Sequence, residues 1–164
     1  MWKEIEAKQI EDNFIKTIAD EWMLIAAGDR DGYNMMTASW GFAGEIWGHD
    51  SVLVVIRPQR YTMKFVEEND YFTLSFYGEN KAIHKVCGNL SGRDVDKTAL
   101  TGLTPVFQDD TVFFEQARLV LICKKQYVQT MQKDCFTDTA PLACYEDDFH
   151  KMVFGKIEKV LVKE

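Results

Sequence analysis

The chain has 164 residues, 46% apolar and 27% charged, a soluble globular composition of a size that fits one domain over residues 1–164. Its net charge of −7 excludes a general nucleic-acid or anionic-membrane binder. A local cluster of cations can still dominate one pocket, because salt screens fields beyond roughly 8 Å.

The opening MWKEIEAKQIEDNF carries scattered acids and no apolar run. The longest apolar stretches, such as Val52–Ile56 and Leu119–Cys123, are too short to cross a bilayer. A cytoplasmic protein with no membrane and no nucleic-acid partner is the expectation.

Strand signals dominate and are spaced as in a small barrel. Trp22–Ala27 is apolar and ends in Gly28-Asp29-Arg30-Asp31-Gly32, a run of turn formers, so with Asn34–Trp40 it reads as a hairpin. Ser51–Arg57 is β-branched and apolar, a central strand ended by Pro58, which cannot donate to a ladder. Arg60–Asn69 sets Tyr61 and Phe65 four apart beside Met63 and Val66, the spacing of a short amphipathic helix. Tyr71–Tyr77 is strongly β-prone, with Phe72, Leu74 and Phe76 on one side and Thr73 and Ser75 on the other. Glu79–Val86 reads as a second helix, stopped by Cys87-Gly88-Asn89.

A polar loop at 91–97 leads into a short helical stretch. Thr111–Gln116, Ala117–Lys125 and Tyr127–Lys133 then read as successive strands near a bulge or tight turns. His150–Val162 is the final strand or pair of strands. About seven strands with short helices between them make an antiparallel barrel.

The motifs of the common nucleotide folds, GxxxxGK[ST] and GxGxxG, are absent, as are HExxH, the EF-hand loop and GxSxG. Cysteines 87, 123, 135 and 144 form no CxxC pair and no zinc spacing, so reduced thiols and no metal site are expected, with Cys123 in the core. His84 and Cys87 lie three apart on one helix face, a conceivable thiol–imidazole pair that ordinary packing explains better. Glu146, Asp147 and Asp148 are adjacent, so a strand would point them to opposite faces; they read as a solvated loop.

Three segments taken together carry more. NMMTASWG at 34–41, RPQRYT at 57–62 and CGNLSGRDVDK at 87–97, with YFTLSFY between the second and third, resemble the flavin reductase-like family, the FMN-binding split barrels that include flavoredoxins. The closing His150…Gly155-Lys156-Ile157 pattern supports the same resemblance. It implies a mainly β fold with short helices, a Greek-key split β-barrel, a homodimer, and FMN in a groove near the subunit interface. It also implies reduced-flavin chemistry, with NADH or NADPH as donor or with a small-molecule or protein electron partner. By family analogy Thr37, Ala38, Ser39 and Trp40 face the flavin ring. Arg57, Arg60, Tyr61 and Thr62, with Ser91, Gly92, Arg93 and Lys97, face ribityl and phosphate. His150, near the start of the last strand, becomes the catalytic candidate on the active side of the flavin.

The same residues suit that ligand chemically. A phosphate takes charge-assisted bonds worth roughly 1.5–3 kcal/mol each, and Arg60, Thr62, Ser91, Arg93 and Lys97 are the best-placed supply. Gly92 would let backbone approach a phosphate closely. Backbone N–H groups of Thr37–Ser39, where a ladder ends, would tune the ring's electronics, while Trp40 closes an apolar wall. A proton donor at His150 suits exchange at the flavin N5.

Each segment alone also has a plain structural account: Trp40 as core, Arg57 and Arg60 as solvated charges, Ser91 or Asp94 as the cap of the next helix. Two functions stay open. One is an FMN-dependent oxidoreductase fed by NADH or NADPH; the other is a flavoredoxin-like electron carrier. No nicotinamide motif is visible, but relatives bind that cofactor by stacking on the flavin, so its absence decides nothing. The lack of an obvious extension to cover the ring favours an open flavin. A flavin-free barrel and the pyridoxamine-phosphate oxidase group fit the TASW and SGRDVDK segments less well.

Overall fold

The structure, a computed structural model, describes every residue from Met1 to Glu164. After β1 (Trp2–Ile5), a helical turn α1 (Phe14–Lys16) runs into a π turn over Thr17–Glu21. The hairpins β2 (Met23–Asp29) with β3 (Gly32–Ala38), and β4 (Gly41–Ile46) with β5 (His49–Ile56), follow. Next come α2 (Tyr61–Glu68), β6 (Tyr71–Phe76), α3 (Lys81–Asn89) and α4 (Lys97–Thr101). A small separate hairpin, β7 (Pro105–Gln108) and β8 (Thr111–Phe114), precedes the long strands β9 (Leu119–Thr130) and β10 (Lys151–Lys163).

The main sheet is antiparallel, in the order β3-β2-β6-β9-β10-β5-β4. Along one edge β10 pairs with β5 through Lys151–Lys156 and with β1 through Val160–Lys163; β9 holds its other edge. β3 and β4 stand at opposite ends of this path, yet only Ser39 and Trp40 join them. Three Cα steps reach about 11 Å at most, so the sheet must curl until its ends nearly meet. The result is a barrel split between β3 and β4.

Both faces of the central strands are buried. Met23 and Ile25 of β2, Val54 of β5, Phe72, Leu74 and Phe76 of β6 and Leu121 of β9 fill the inside of the curl. Leu24, Ala26, Val120 and Ile122 point the other way, under Ile83 and Cys87 of α3 and Phe113 and Phe114 of β8. Burying each large apolar side chain is worth about 1.5–3 kcal/mol, so α3 and the small hairpin act as structural covers.

This second core overturns the expected polar side of β6. Thr73 is fully buried and satisfies its hydroxyl on the Val112 carbonyl at 2.7 Å. Other boundaries move for local reasons. β2 starts at Met23, because Trp22 adopts φ 70° and ψ 171°. α3 does not stop at Cys87 but runs through Asn89, whose side chain donates to the Lys85 carbonyl at 2.8 Å.

The two strands expected over 117–133 are one strand, β9, with Gln126 bulged out between Lys125 and Tyr127, which oppose Gly155 and Phe154. Gly155 is required there: a Cβ would lie 2.5 Å from Phe72 Cζ and 3.0 Å from Cys123 Cβ. No helix is long and apolar enough to cross a membrane.

Candidate functional site

Two adjoining clefts open beside the seam of the barrel. The larger, about 320 Å³, takes in Tyr61, Thr62, Ser91, Gly92, Arg93 and Lys97. The smaller, about 180 Å³, takes in Thr37, Ala38, Ser39, Trp40 and His150. Arg57 and Arg60 line both. The fold therefore gathers the residues that the resemblance assigns to ring, ribityl and phosphate, with His150, from four separate segments into two adjoining clefts. The larger cleft has four cations and no Asp or Glu among its 14 lining residues, in a chain that carries 26 acids. Such a surface selects an anion.

At the cationic end, α2 begins without a side-chain cap. Its first amides, on Tyr61 and Thr62, have no partner within the helix and receive no side-chain acceptor, so they add donors and the positive end of the helix dipole. The Arg60 guanidinium spends one bond, to the Gly88 carbonyl at 3.3 Å. Arg93 likewise spends one, on the Gln59 carbonyl at 3.3 Å, and lies 4.6 Å over the Tyr61 ring. Each guanidinium has five N–H groups, so most of their capacity is free. The Ser91 hydroxyl accepts from the Arg93 amide at 3.2 Å and keeps its own proton to give.

The other two cations are committed elsewhere. The Lys97 ammonium is buried and donates to the Met35 carbonyl at 2.8 Å and the Cys87 carbonyl at 3.0 Å. Burial lowers its pKa, and one N–H remains for the cleft. Arg57 pairs with Asp148 and donates to the Cys144 carbonyl at 2.7 Å. Asp148 also accepts from Gln59 at 2.9 Å and from the Glu146 amide at 3.0 Å, and these bonds with Arg57 hold its carboxyl well below the usual range. The acidic loop at 146–148 thus ties the segment before β10 to the cleft wall. No group of His, Cys, Asp and Glu is assembled to hold a metal.

Gly92 lines the larger cleft and also makes room for Asn34: a Cβ on Gly92 would lie 2.1 Å from Asn34 Oδ1. Asn34 in turn donates to the Thr62 hydroxyl at 2.9 Å, so the glycine lets the 91–97 loop close on β3 and α2. The cap of α4 is Asp96, which accepts from the Ala99 amide at 3.0 Å, and neither Ser91 nor Asp94 plays that part.

At the other end, Ser39 and Trp40 lie between strands and their amides reach no protein acceptor. Trp40 is half-exposed, so it is no core residue; its ring centroid is 5.2 Å from that of His150. His150 is buried, with Nδ1 2.9 Å from the Tyr145 hydroxyl. Burial first, then the charge of Arg57, pull its pKa down to about 4. The ring is neutral at pH 7, so it offers a hydrogen bond and not an imidazolium proton.

His84 and Cys87 do not form a pair. His84 Nδ1 sits 3.0 Å from the Thr37 hydroxyl, and burial lowers its pKa to about 4 while raising that of Cys87 to about 11. Sequence reasoning passed over Asn34, Gln59 and Tyr145. Asn34 sits in the first motif as a polar residue on a strand that is otherwise apolar beside it, which was its one signal.

Against an FMN-like ligand the donor set fits. Unspent guanidinium and helix-terminal N–H groups lie at one end, hydroxyls of Ser91 and Thr62 beside them, and free backbone amides with an aromatic wall at the other.

Comparison with solved structures finds the same fold at low identity. Flavoredoxin of Desulfovibrio vulgaris (Miyazaki F) aligns with a TM-score of 0.69 at 24% identity, over 87% of this chain and 69% of that one. An FMN-binding domain of a flavin reductases-like enzyme from Shewanella baltica OS155 aligns with 0.69 at 15%, over 99% and 77%. Flavoredoxin from Methanosarcina acetivorans aligns with 0.68 at 20%, over 88% and 69%. Comparison with curated proteins gives no match. Residues 15–164 match the model of the flavin reductase like domain, and the chain belongs to that family.

Proposed function

We propose that the chain is a single-domain, FMN-binding redox protein whose flavin lies along the two adjoining clefts, and that it acts as an NAD(P)H-dependent oxidoreductase. The observation that carries this reading is the polarity of the groove, cationic and free of acids at one end, with unpaired amides and Trp40 at the other. FMN has the matching polarity, and relatives of the same fold are named for FMN binding.

When bound, the flavin supplies hydride and single-electron transfer. The chain's residues do the rest. Arg60, Arg93 and the α2 amides would neutralise the phosphate, with Lys97 adding charge and the Ser91 and Thr62 hydroxyls serving phosphate and ribityl. Tyr61 holds Arg93 in place through its ring. Arg57, fixed by Asp148, would form the wall between the two clefts. The amides of Ser39 and Trp40, which have no protein acceptor, would donate to the ring, with Thr37 and Ala38 forming the strand end beside it. His150, neutral and oriented by Tyr145, would supply a hydrogen bond to the ring.

A flavoredoxin-like electron carrier is the second reading, favoured by the exposure of Ser39 and Trp40, which leaves that end of the groove open to a protein partner. A homodimer is proposed on the outer face of β4 and β5, where Phe42 is 71% and Trp47 56% exposed beside Phe154. A cytoplasmic location goes with this reading.

The test is visible absorbance of the purified protein with and without added FMN, followed by anaerobic NADH and NADPH. Bleaching by either nucleotide supports the oxidoreductase and identifies its donor. A flavin band that neither bleaches supports the carrier. No flavin uptake overturns both.

A further inference from the structure

Beside the strand end that floors the flavin groove lies a third cleft of about 410 Å³. It meets the other two along Thr37–Ser39 and at Asn89, but its remaining walls are different: Trp22, Lys81, His84, Lys85 and Gly88. None of its lining residues is acidic.

Three independent features converge there. The first is backbone geometry. Trp22 sits at φ 70° and ψ 171°, a region that only glycine occupies readily, directly after a π turn. Both devices concentrate where a structure has to aim a side chain at a ligand. Trp22 remains partly exposed, with Lys81 over its ring and the His84 ring edge-on at 5.8 Å.

The second is an unmet polar atom. His84 is 1% exposed, and its Nε2 has no hydrogen-bond partner, although Nδ1 is held by Thr37. Buried polar atoms left unpaired are rare and ask for a partner.

The third is charge. The Lys81 ammonium lies 3.6 Å above the Trp22 ring, tethered to the Asp20 carbonyl, so a cation is fixed on the face of an aromatic wall. Lys85, one turn further along α3, makes no ion pair and no side-chain hydrogen bond.

We propose that this cleft binds a second, anionic ligand: a planar organic molecule carrying a carboxylate or a phosphate, its charge held by Lys81 and Lys85 and its flat part set against Trp22. The His84 imidazole stands in the wall, held at Nδ1 by Thr37. The site is complete within the chain whether or not a flavin is bound. Its position puts such a molecule on the same strand end, Thr37–Ser39, that the flavin groove uses.

Calorimetric titration of the purified protein with benzoate, phenyl phosphate and benzyl alcohol tests this, with tryptophan fluorescence recorded in parallel. Saturable binding of either anion, with benzyl alcohol inert, is expected. Benzoate alone would mark a carboxylate site and phenyl phosphate alone a phosphate site. In the Lys81→Met/Lys85→Met variant the affinity should fall about tenfold or more, the scale of one lost charge-assisted bond. Trp22→Phe should abolish the fluorescence change while calorimetry still records the anion. Saturating FMN should leave binding in place. The proposal is overturned by no saturation up to about 10 mM, where affinity falls below any specific contact. Equal binding in the double-lysine variant, or equal binding of benzyl alcohol, also overturns it. Displacement by FMN would overturn it too, since the cleft would then be part of the flavin groove.

Discussion

Replacing Arg60 by Met should weaken FMN binding while leaving riboflavin binding and the fold almost untouched. Arg60 lines both clefts and spends a single 3.3 Å bond, on the Gly88 carbonyl, so the folded chain loses little with it. The stability change should stay within about 0.5 kcal/mol, as for other exposed substitutions. A guanidinium bond to a phosphate is worth roughly 1.5–3 kcal/mol, which corresponds to about a 10- to 150-fold rise in the dissociation constant for FMN.

Riboflavin lacks the phosphate, so its affinity should be the same for both proteins. Flavin fluorescence quenching at two salt concentrations reads all of this, and the difference between the proteins should shrink at high salt. An equal loss for riboflavin would mean that Arg60 shapes the groove and does not meet the phosphate. No loss for FMN would remove the phosphate end from this cleft altogether.

Lys97→Met should behave in the opposite sense, because it leaves the Met35 and Cys87 carbonyls without a donor; urea unfolding should show a loss of about 2 kcal/mol or more, with or without flavin. Gly92→Ala forces a Cβ to within 2.1 Å of Asn34 Oδ1, so the Asn34–Thr62 bond breaks. Stability should fall by about 1–3 kcal/mol, and an Asn34→Ala background should relieve most of the clash.

His84 and His150 both have folded pKa values lowered from 6.5 to about 4. The unfolded chain therefore takes up protons first. Stability should be full above about pH 6.5 and fall as the pH drops toward 4, and His84→Gln should flatten that slope in unfolding curves. Trp47→Ser together with Phe42→Ser should turn a dimer into a monomer by light scattering; an unchanged mass would move the interface off β4.

The sequence displayed its strongest strands because those segments are buried on both faces and carry their own apolar signal, as in Ser51–Ile56 and Leu119–Cys123. It hid the others for a physical reason. β1 exists only because Val160–Lys163 offers it an edge, and β4, with two glycines and a largely exposed face, only because β5 does. Pairing of that kind is a long-range fact with no local pattern.

The site shows the same division. Motifs singled out the cations and hydroxyls, but their partners decide what each is free to do. Arg57 and Lys97 share a cleft with Arg60 and Arg93 and differ from them only in what they already hold: Asp148 and Cys144 for one, two buried carbonyls for the other. Nothing in RPQRYT or SGRDVDK separates spent cations from free ones.

Topology explains why the groove sits where it does. A sheet whose path ends at β3 and β4, with two residues to join them, must leave a seam at that linker. Linker amides cannot enter either ladder, so the seam carries unpaired donors without any residue being selected for the purpose. The start of α2 follows β5 by four residues and the 91–97 loop is held on β3 by Asn34, so both deliver their polar groups to the same opening. The barrel's hydrophobic demand is met by the curl; the polar cost of that curl is concentrated at one place. Four cations in an otherwise acidic chain are found at that place, and a ligand that is anionic at one end and flat at the other meets both needs at once.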